Sequence, residues 1–401
     1  VHPAVPSALP SALPSSDPPS AASSRASAAS LARLGWDDAW ARALAALPDA
    51  GSDVGPAAGP DVPRPAAGRA VGRVCRADAG ACDVLVPGPD GPVAAAVPWA
   101  PTVRRAARAD PTAGPVAGDW VVLDAAPAVA GVLPRRSAVV RAQPDRSSHG
   151  QVLAANADVV AVVEPLSDPD LGRLERLLTL AWSSGARPVC VLTKADLVPD
   201  AEVRAADLAA AAPGVDVLVV AAPEDVGLAP LRDVLAGGAT LALLGASGVG
   251  KSTLLNALVG AERMRTTAVR DDGKGRHTTV TRELHLAPGG GAVLDTPGLR
   301  TIGLAGAGAA DAALEDAFAD VAERAAACRF RDCAHRTEPG CAVLAAVESG
   351  DLPARRLASY RKLEREARHE AARTDARLRA EMAQVWKQRA RAYRRRPDKK
   401  R

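Results

Sequence analysis

The sequence predicts a multidomain chain: a small N-terminal β-barrel, an α/β unit around a phosphate-binding loop, and a C-terminal helical unit built on a metal cluster. Three observations predict it. Short apolar runs broken by Gly, Pro and Asp fill 72–141, longer apolar runs alternate with helical patterns from Ala154 onward, and Cys328, Cys333, His335 and Cys341 follow a C-x4-C-x-H-x5-C spacing. At 401 residues and 48% apolar content the chain is too long for one ordinary domain and can bury sizeable cores. Aromatic residues make up only 2%, so Ala, Leu and Val must do the packing.

Residues 1–65, rich in Ala, Pro and Ser, are expected to form a disordered arm, with a short amphipathic helix around 31–47 that carries Trp36 and Trp40. The barrel is assigned to 66–142 from the runs Gly72-Arg-Val-Cys75, Cys82-Asp-Val-Leu-Val86, Gly118-Asp-Trp-Val-Val-Leu123 and Ala130-Gly-Val-Leu133. It offers only Trp99 and Trp120 for base stacking, and Trp120 also suits a core position. Contacts to an RNA backbone through Arg104, Arg105, Arg108, Arg135 and Arg136 are the stronger reading, against solvated arginines around a structural barrel.

The α/β unit is assigned to 150–305, with strands at Val159–Val163, Val189–Leu192, Val217–Val220 and Leu241–Leu244 and a helix over Leu171–Trp182. Three motifs carry its chemistry. Gly245-Ala246-Ser247-Gly248-Val249-Gly250-Lys251-Ser252-Thr253 fits G-x-x-x-x-G-K-[ST], between an apolar strand and a run with Leu254, Leu255 and Leu258 at helical spacing. Its backbone N–H groups would close around phosphates, Lys251 would reach the terminal phosphates, and the Ser252 hydroxyl would ligate Mg²⁺. Asp295-Thr-Pro-Gly298 follows a second apolar strand; there Asp295 can hold Mg²⁺ through water and the Gly298 N–H can sense the terminal phosphate. Thr193-Lys194-Ala195-Asp196 reads guanine: a carboxylate that accepts from N1–H and the exocyclic amine has no equivalent partner on adenine. The usual Asn of this motif is Thr193, whose hydroxyl can still tie the loop together.

The order of these motifs is unusual. In ordinary GTPases the phosphate loop comes first and the base-reading motif last, whereas here Thr193–Asp196 precedes Gly245–Thr253, which precedes Asp295–Gly298. On these motifs the chain resembles the circularly permuted GTPases, and among them the ribosome small-subunit-dependent GTPase A family (RsgA, or YjeQ). The resemblance runs from about Arg69 to Glu366 and is carried also by Gln151-Val-Leu-Ala-Ala-Asn156-Ala-Asp158, by Lys274-Gly275-Arg276-His277-Thr278-Thr279, and by the cysteine–histidine stretch Cys328–Cys341.

The resemblance implies an OB-fold for the barrel, a P-loop GTPase domain with permuted motif order, and a C-terminal helical zinc-binding domain. It places Ala221-Ala222 at the second guanine loop, usually Ser-Ala, and His277 in the first switch, where His277 is the nearest polar candidate for catalysis; a structural or RNA contact is the alternative. Thr279 rather than Thr278 is preferred as a further Mg²⁺ ligand. The position after Gly298, where many GTPases carry a water-orienting Gln, is Leu299, so intrinsic turnover should be slow. The implied partners are GTP and GDP, the small (30S) ribosomal subunit and its 16S-type rRNA. The implied cycle is binding in the GTP form, help with or a check on late maturation, and release after hydrolysis.

The helical unit, 306–365, stands on its own chemistry. Cys328, Cys333, His335 and Cys341 supply four soft or borderline ligands, enough for one closed tetrahedral Zn²⁺ site of structural character. Cys75, Cys82 and Cys190 are scattered in apolar contexts and read as core residues, not a disulfide set. No signal peptide or transmembrane run is evident, so a cytoplasmic monomer without membrane contact is expected.

A basic tail is assigned to 366–401. From Leu352 to Arg401 the chain has 18 Lys or Arg against 6 Asp or Glu, a net of +12 where the whole chain carries +4. Charge this concentrated on one helical tail is a footprint for a polyanion. Two other functions compete: an RNA-binding scaffold with nucleotide as a structural ligand, which Leu299 permits, and a P-loop ATPase or kinase, which Lys194 and Asp196 disfavour.

Overall fold

In the computed structural model, which describes residues 28–47, 70–88, 91–124, 128–142, 150–260, 282–298, 303–304 and 307–394, the strands Ala70–Asp78 (β1), Ala81–Gly88 (β2), Gly91–Pro98 (β3), Trp120–Leu123 (β4) and Val129–Val132 (β5) form one antiparallel sheet in the order β3-β2-β1-β4-β5. Just past β3, Trp99 bridges Val129 in parallel, and Ala100 N donates to Val129 O at 3.0 Å, so the sheet closes on itself. A helix, Pro101–Ala109, fills the connection from β3 to β4. This arrangement is consistent with the OB-fold that the resemblance implied.

Strand periodicity explains what the barrel buries. In β4, Val121 and Leu123 point inward to Val74, Val84 and Val129, while Trp120 and Val122 point outward. All four are nonetheless buried, because the outer face is covered by residues 28–47.

The expected helix around 31–47 is two helical pieces, residues 28–33 and Asp38–Ala45, broken at Gly35, and it is docked, not loose. Leu31, Leu34 and Trp40 pack on Val71, Trp120, Val122 and Leu133, with the Trp36 ring edge-on to Trp120 at 4.7 Å. Asp37 caps the second piece by accepting from Trp40 N at 2.9 Å and also takes the Arg136 guanidinium, which lies 4.0 Å from the Trp40 ring centroid. The disordered arm expected over 1–65 therefore does not extend through 28–47.

Ala138–Ala142 (β6) and Gly150–Ala155 (β7) lead into the second unit and pair with Gly303–Leu304 in a small sheet. Its main sheet contains Val159–Pro165 (β8), Arg187–Thr193 (β9), Asp216–Val219 (β10), Thr240–Leu244 (β11), Glu283–Leu286 (β12) and Ala292–Asp295 (β13), ordered β10-β9-β8-β11-β13-β12. All neighbours are parallel except the edge strand β12. Because both faces are covered by helices, 159–163 of β8 and 241–244 of β11 read as unbroken apolar runs and not as alternating ones. The chain runs outward from β8 through β9 to β10 and then returns to β11 beside β8. That reversal opens a crevice at the carboxyl edge of the sheet, where nucleotide-binding loops sit in such folds.

The C-terminal helices, Ala307–Ala317, Ala319–Ala325, Ala342–Ser349, Ala354–Thr374 and Ala376–Arg394, do not stand apart. Leu314, Phe318, Val321, Leu357 and Leu363 join the core of Leu174, Leu177, Leu178 and Ala181 on the helix Leu171–Trp182. The helix Ala354–Thr374 runs straight through the expected 365/366 boundary and keeps Ala367 and Ala372 buried, so the basic segment is not one helical tail beginning at 366. The break comes at Asp375, whose carboxylate accepts from Arg377 N at 2.8 Å and Leu378 N at 3.1 Å and so starts a new helix.

Candidate nucleotide-binding and metal sites

Four loops leave the carboxyl edge side by side, and the reversal of strand order decides which ones meet. The phosphate loop follows the central strand β11, Asp295–Gly298 closes β13 on one side, Thr193–Asp196 follows β9, and Ala221-Ala222 follows β10. The permuted chain order is thus undone in space.

Within the phosphate loop the helix Lys251–Val259 starts from Gly250 at φ +102°, a conformation that side chains with a Cβ rarely adopt. A Cβ there would also lie 3.2 Å from Thr193 Oγ1. Ser247 and Gly248 are exposed at the loop tip, Val249 is buried, and Ala246, Ser252 and Thr253 are half-buried. Lys251 is buried, and its Nζ donates to Gly245 O at 3.0 Å and Ala246 O at 2.8 Å. Burial holds its pKa down at about 8, although Asp295 pulls it up.

Asp295, at the end of β13, is 1% exposed, and among the described residues neither of its carboxylate oxygens has a hydrogen-bond partner. Burial pushes its pKa up to about 6 against the pull of Lys251. An orphaned carboxylate beside a phosphate loop is the donor that a hard, oxygen-seeking cation requires. The following Thr296 donates to Leu243 O at 2.6 Å, tying the turn to β11. Gly298 then meets the phosphate loop so closely that a Cβ would fall 2.2 Å from Ser247 Oγ, which leaves room for no other residue.

The departure at Thr193 has a structural answer. Its hydroxyl donates to Val249 O inside the phosphate loop and lies 3.4 Å from Glu164 O at the end of β8. The base-reading loop and the phosphate loop are thereby joined directly. Lys194 takes a left-handed conformation, φ +59°, which turns Ala195–Leu197 into a tight 3₁₀ turn with Asp196 exposed. Ala195 N donates to Val220 O at 3.3 Å, so the loops after β9 and β10 lie against each other, and Ala221 N closes the second loop on Val226 O at 3.1 Å. His277, Thr278, Thr279 and Leu299 lie outside the described residues.

The cysteine–histidine stretch closes into one cluster, with all ligand atoms of Cys328, Cys333, His335 and Cys341 within 4.8 Å of one another. Cys328 Sγ and Cys341 Sγ are 3.8 Å apart, and His335 Nδ1 is 3.6 Å and 3.4 Å from them. A tetrahedral site with metal–sulfur bonds of about 2.3 Å has sulfur–sulfur edges of about 3.8 Å, so the Cys328, His335 and Cys341 edges match those of a bound metal. Cys341 also caps the helix Ala342–Ser349 and accepts from Leu344 N. Burial alone would raise the Cys328 thiol, but the N–H groups of Val343 and Ala342 outweigh it and hold the thiol below its usual value. All six cysteines are free of disulfides.

Of the arginines read as RNA contacts, Arg104, Arg105 and Arg108 are exposed on the helix Pro101–Ala109. Arg135 is taken up, pairing with buried Asp119 at 2.7 Å and donating to Gly114 O at 2.8 Å, whereas Arg136 is exposed but already paired with Asp37 over the Trp40 ring. Buried charged residues beyond the motifs, among them Arg73, Glu164 and Arg356, were not singled out from the sequence. Arg73 bonds Thr240 Oγ1 at 2.7 Å, Leu34 O and Asn156 O, joining the docked segment, the barrel and the strand before the phosphate loop. Glu164 accepts from Asp170 N at 2.8 Å and from Arg173, and Arg356 joins Glu175 to Asp320. The sequence signal for Arg73 and Glu164 is a charge within an apolar run; Arg356, in a helix rich in charges, has none. Among the described residues, no helix is long and apolar enough to cross a membrane.

A model of the RsgA GTPase family matches residues 132–305. A protein of Streptomyces coelicolor named small ribosomal subunit biogenesis GTPase RsgA is 49% identical over 368 residues, covering 88% of this chain and 91% of the relative. One of the same name from Streptomyces avermitilis is 48% identical over 366 residues, covering 88% and 90%. The crystal structure of YjeQ from Thermotoga maritima matches with a TM-score of 0.53 at 24% identity, covering 75% of this chain and 98% of that one; YloQ, described as a circularly permuted GTPase, matches at 0.52 and 24%, covering 76% and 96%. These two likenesses concern the fold, which agrees with the permuted loop order seen here. With the relatives' extent and identity, the permuted motifs and the four-ligand cluster, this chain belongs to the RsgA family of GTPases.

Proposed function

We propose that this chain hydrolyses GTP while bound to the small ribosomal subunit and acts in the late maturation of that subunit; its relatives are named small ribosomal subunit biogenesis GTPases. The observation that carries the nucleotide half is the Thr193 hydroxyl on Val249 O, which sets a guanine-reading loop against a phosphate loop. Asp196 reads the guanine edge, flanked by Lys194 and Ala195, and Ala221 and Ala222 offer backbone on the other side of the base. The N–H groups of Gly245 to Thr253 surround the phosphates, and Lys251 leaves its two carbonyl acceptors to meet them. Ser252 and Asp295 would hold Mg²⁺, with Thr279 as a further ligand; when bound, the ion offsets the charge of the phosphate oxygens. Gly298, fixed against Ser247, puts a backbone N–H where it senses the terminal phosphate. His277 is the candidate for a polar role near the attacking water.

The barrel, as an OB-fold, would contact rRNA phosphates through Arg104, Arg105 and Arg108, and the basic helix from Ala376 would add non-specific attraction. Cys328, Cys333, His335 and Cys341 would hold one structural Zn²⁺, since all four positions are protein ligands. Free thiols throughout suit the reducing cytoplasm, and a monomer without membrane contact suffices for each role. Leu299 favours one other reading, an rRNA scaffold with little turnover.

Steady-state hydrolysis of GTP and ATP, with and without small subunits at two salt concentrations, tests the proposal. Stimulation confined to GTP and weakened by salt is expected. Slow turnover indifferent to subunits would select the scaffold, and effective competition by ATP would end the guanine assignment.

A further inference from the structure

This chain has two phenylalanines, and the structure treats them oppositely: Phe318 is fully buried, whereas Phe330 is 41% exposed. Phe330 is held out by its loop. It lies between the cluster residues Cys328 and Cys333, Cys333 N donates to Phe330 O at 3.3 Å, and Arg329 N donates to Gly340 O at 3.1 Å across the loop. The Arg329 guanidinium stands 5.5 Å from the Phe330 ring centroid, and Arg331 and Arg336 are exposed on the same loop. Of the two carboxylates on this loop, Glu338 is turned onto the N–H groups of Ala334, Arg336 and Thr337, and exposed Asp332 offsets one of the three guanidinium charges.

An exposed ring with one guanidinium beside it and two further arginines exposed on the same loop is poor protein-binding surface, where an anchor is framed by apolar area. It has the composition of a stacking platform: a π-face for a base and cations for the phosphates on either side. Duplex RNA buries its base faces, so only an unpaired base can use it. We propose that Phe330 stacks on an unpaired RNA base while Arg329, Arg331 and Arg336 contact the adjoining phosphates. This rests on the reading that the partner is ribosomal RNA, and it assigns the metal loop a recognition role beyond holding the fold.

The test uses the full chain with its metal, as wild type, Phe330→Ala, Phe330→Leu, Phe330→Trp and Arg331→Ala. Each is titrated into a labelled single-stranded RNA of about a dozen nucleotides, a duplex of the same length, and purified small subunits, with metal content and subunit-free GTP turnover measured alongside. Phe330→Ala and Phe330→Leu should each lose about tenfold or more in affinity for the single strand and for subunits, with the duplex unaffected and Phe330→Trp retaining binding. Arg331→Ala should weaken all RNA binding and lower the salt slope by about one. Metal content and basal turnover should not change.

The proposal is overturned if Phe330→Ala binds the single strand as wild type does. It is equally overturned if Phe330→Leu does so while Phe330→Ala fails, since bulk rather than a π-face would then be at work. A loss on subunits with none on the single strand assigns the ring to a ribosomal protein and also overturns it. If wild type does not bind subunits at all, the proposed function fails, and the oligonucleotide still decides this inference.

Discussion

Arg356 is the most heavily engaged side chain between the sheet unit and the C-terminal helices, and its removal has a predictable cost. The guanidinium is 1% exposed and makes five hydrogen bonds: to Glu175 Oε1 at 3.0 Å, both carboxylate oxygens of Asp320 at 3.1 and 2.9 Å, Ala211 O at 3.2 Å and Ala317 O at 2.7 Å. It also lies 4.1 Å from the Phe318 ring centroid. Breaking a buried ion pair by deleting one partner costs about 3–5 kcal/mol, because the other charge stays buried. Here the lower end applies, since Glu175 keeps half-exposed Arg355 at 3.0 Å and Asp320 is partly exposed. Arg356→Met should therefore lower the opening free energy of the helix Ala354–Thr374 by about 3 kcal/mol. Hydrogen exchange reads that local opening without assuming that a multidomain chain unfolds in one step. The double variant Arg356→Met with Glu175→Leu should recover more than half of the loss, because the fully buried carboxylate is then gone and the one left unpaired, Asp320, is partly exposed. A single-variant cost below about 1 kcal/mol, or a double variant whose cost is the sum of its parts, would refute the reasoning.

Thr193→Val removes the donor to Val249 O and strands a buried acceptor, a loss of roughly 1–3 kcal/mol; titration with a fluorescent guanine nucleotide should show about 5- to 150-fold weaker binding with an unchanged far-ultraviolet spectrum. Metal chelation should expose three thiols to a thiol reagent and fray the helix that Cys341 caps, while Cys75, Cys82 and Cys190 stay inert, their thiols pushed up to about 11, 12 and 12 by burial. Trp40→Ala should release residues 28–47 from the barrel and cost about 3–5 kcal/mol of docking, read as protease cleavage within that segment. The Asp37 carboxyl is held at about 2, first by its hydrogen bond from Arg136. Its contribution to docking is thus complete above about pH 4 and is lost as pH falls through 2; tryptophan fluorescence of Asp37→Asn should lack that step.

The chemistry was legible because it is local. Gly245 to Ser252, Asp295 to Gly298, Thr193 to Asp196 and the four-residue cluster are short motifs whose residue types are those that the proposed phosphate, base and metal contacts call for, and their order along the chain alone points to a permuted sheet. Helix Leu171–Trp182 and strands β8, β9 and β11 were likewise legible, since an apolar run or a helical period needs only neighbouring residues. β3 was not found from the sequence: its Ala-rich stretch with Pro92 and Pro98 has no clear alternation, and only pairing with β2 makes it a strand.

What tertiary structure decided is where charge and bulk are spent. Arginines that look alike in sequence part ways, Arg104 in solvent and Arg135 locked to Asp119, because exposure depends on partners far away in the chain. The segment 28–47 looked like part of a loose arm because its low complexity hides that Trp36 and Trp40 fit a face offered by Trp120 some eighty residues later. Arg73 and Arg356 became buried joints between units for the same reason. A motif is set by the ligand it must meet, but burial is set by the whole fold, and no short stretch of sequence contains that information.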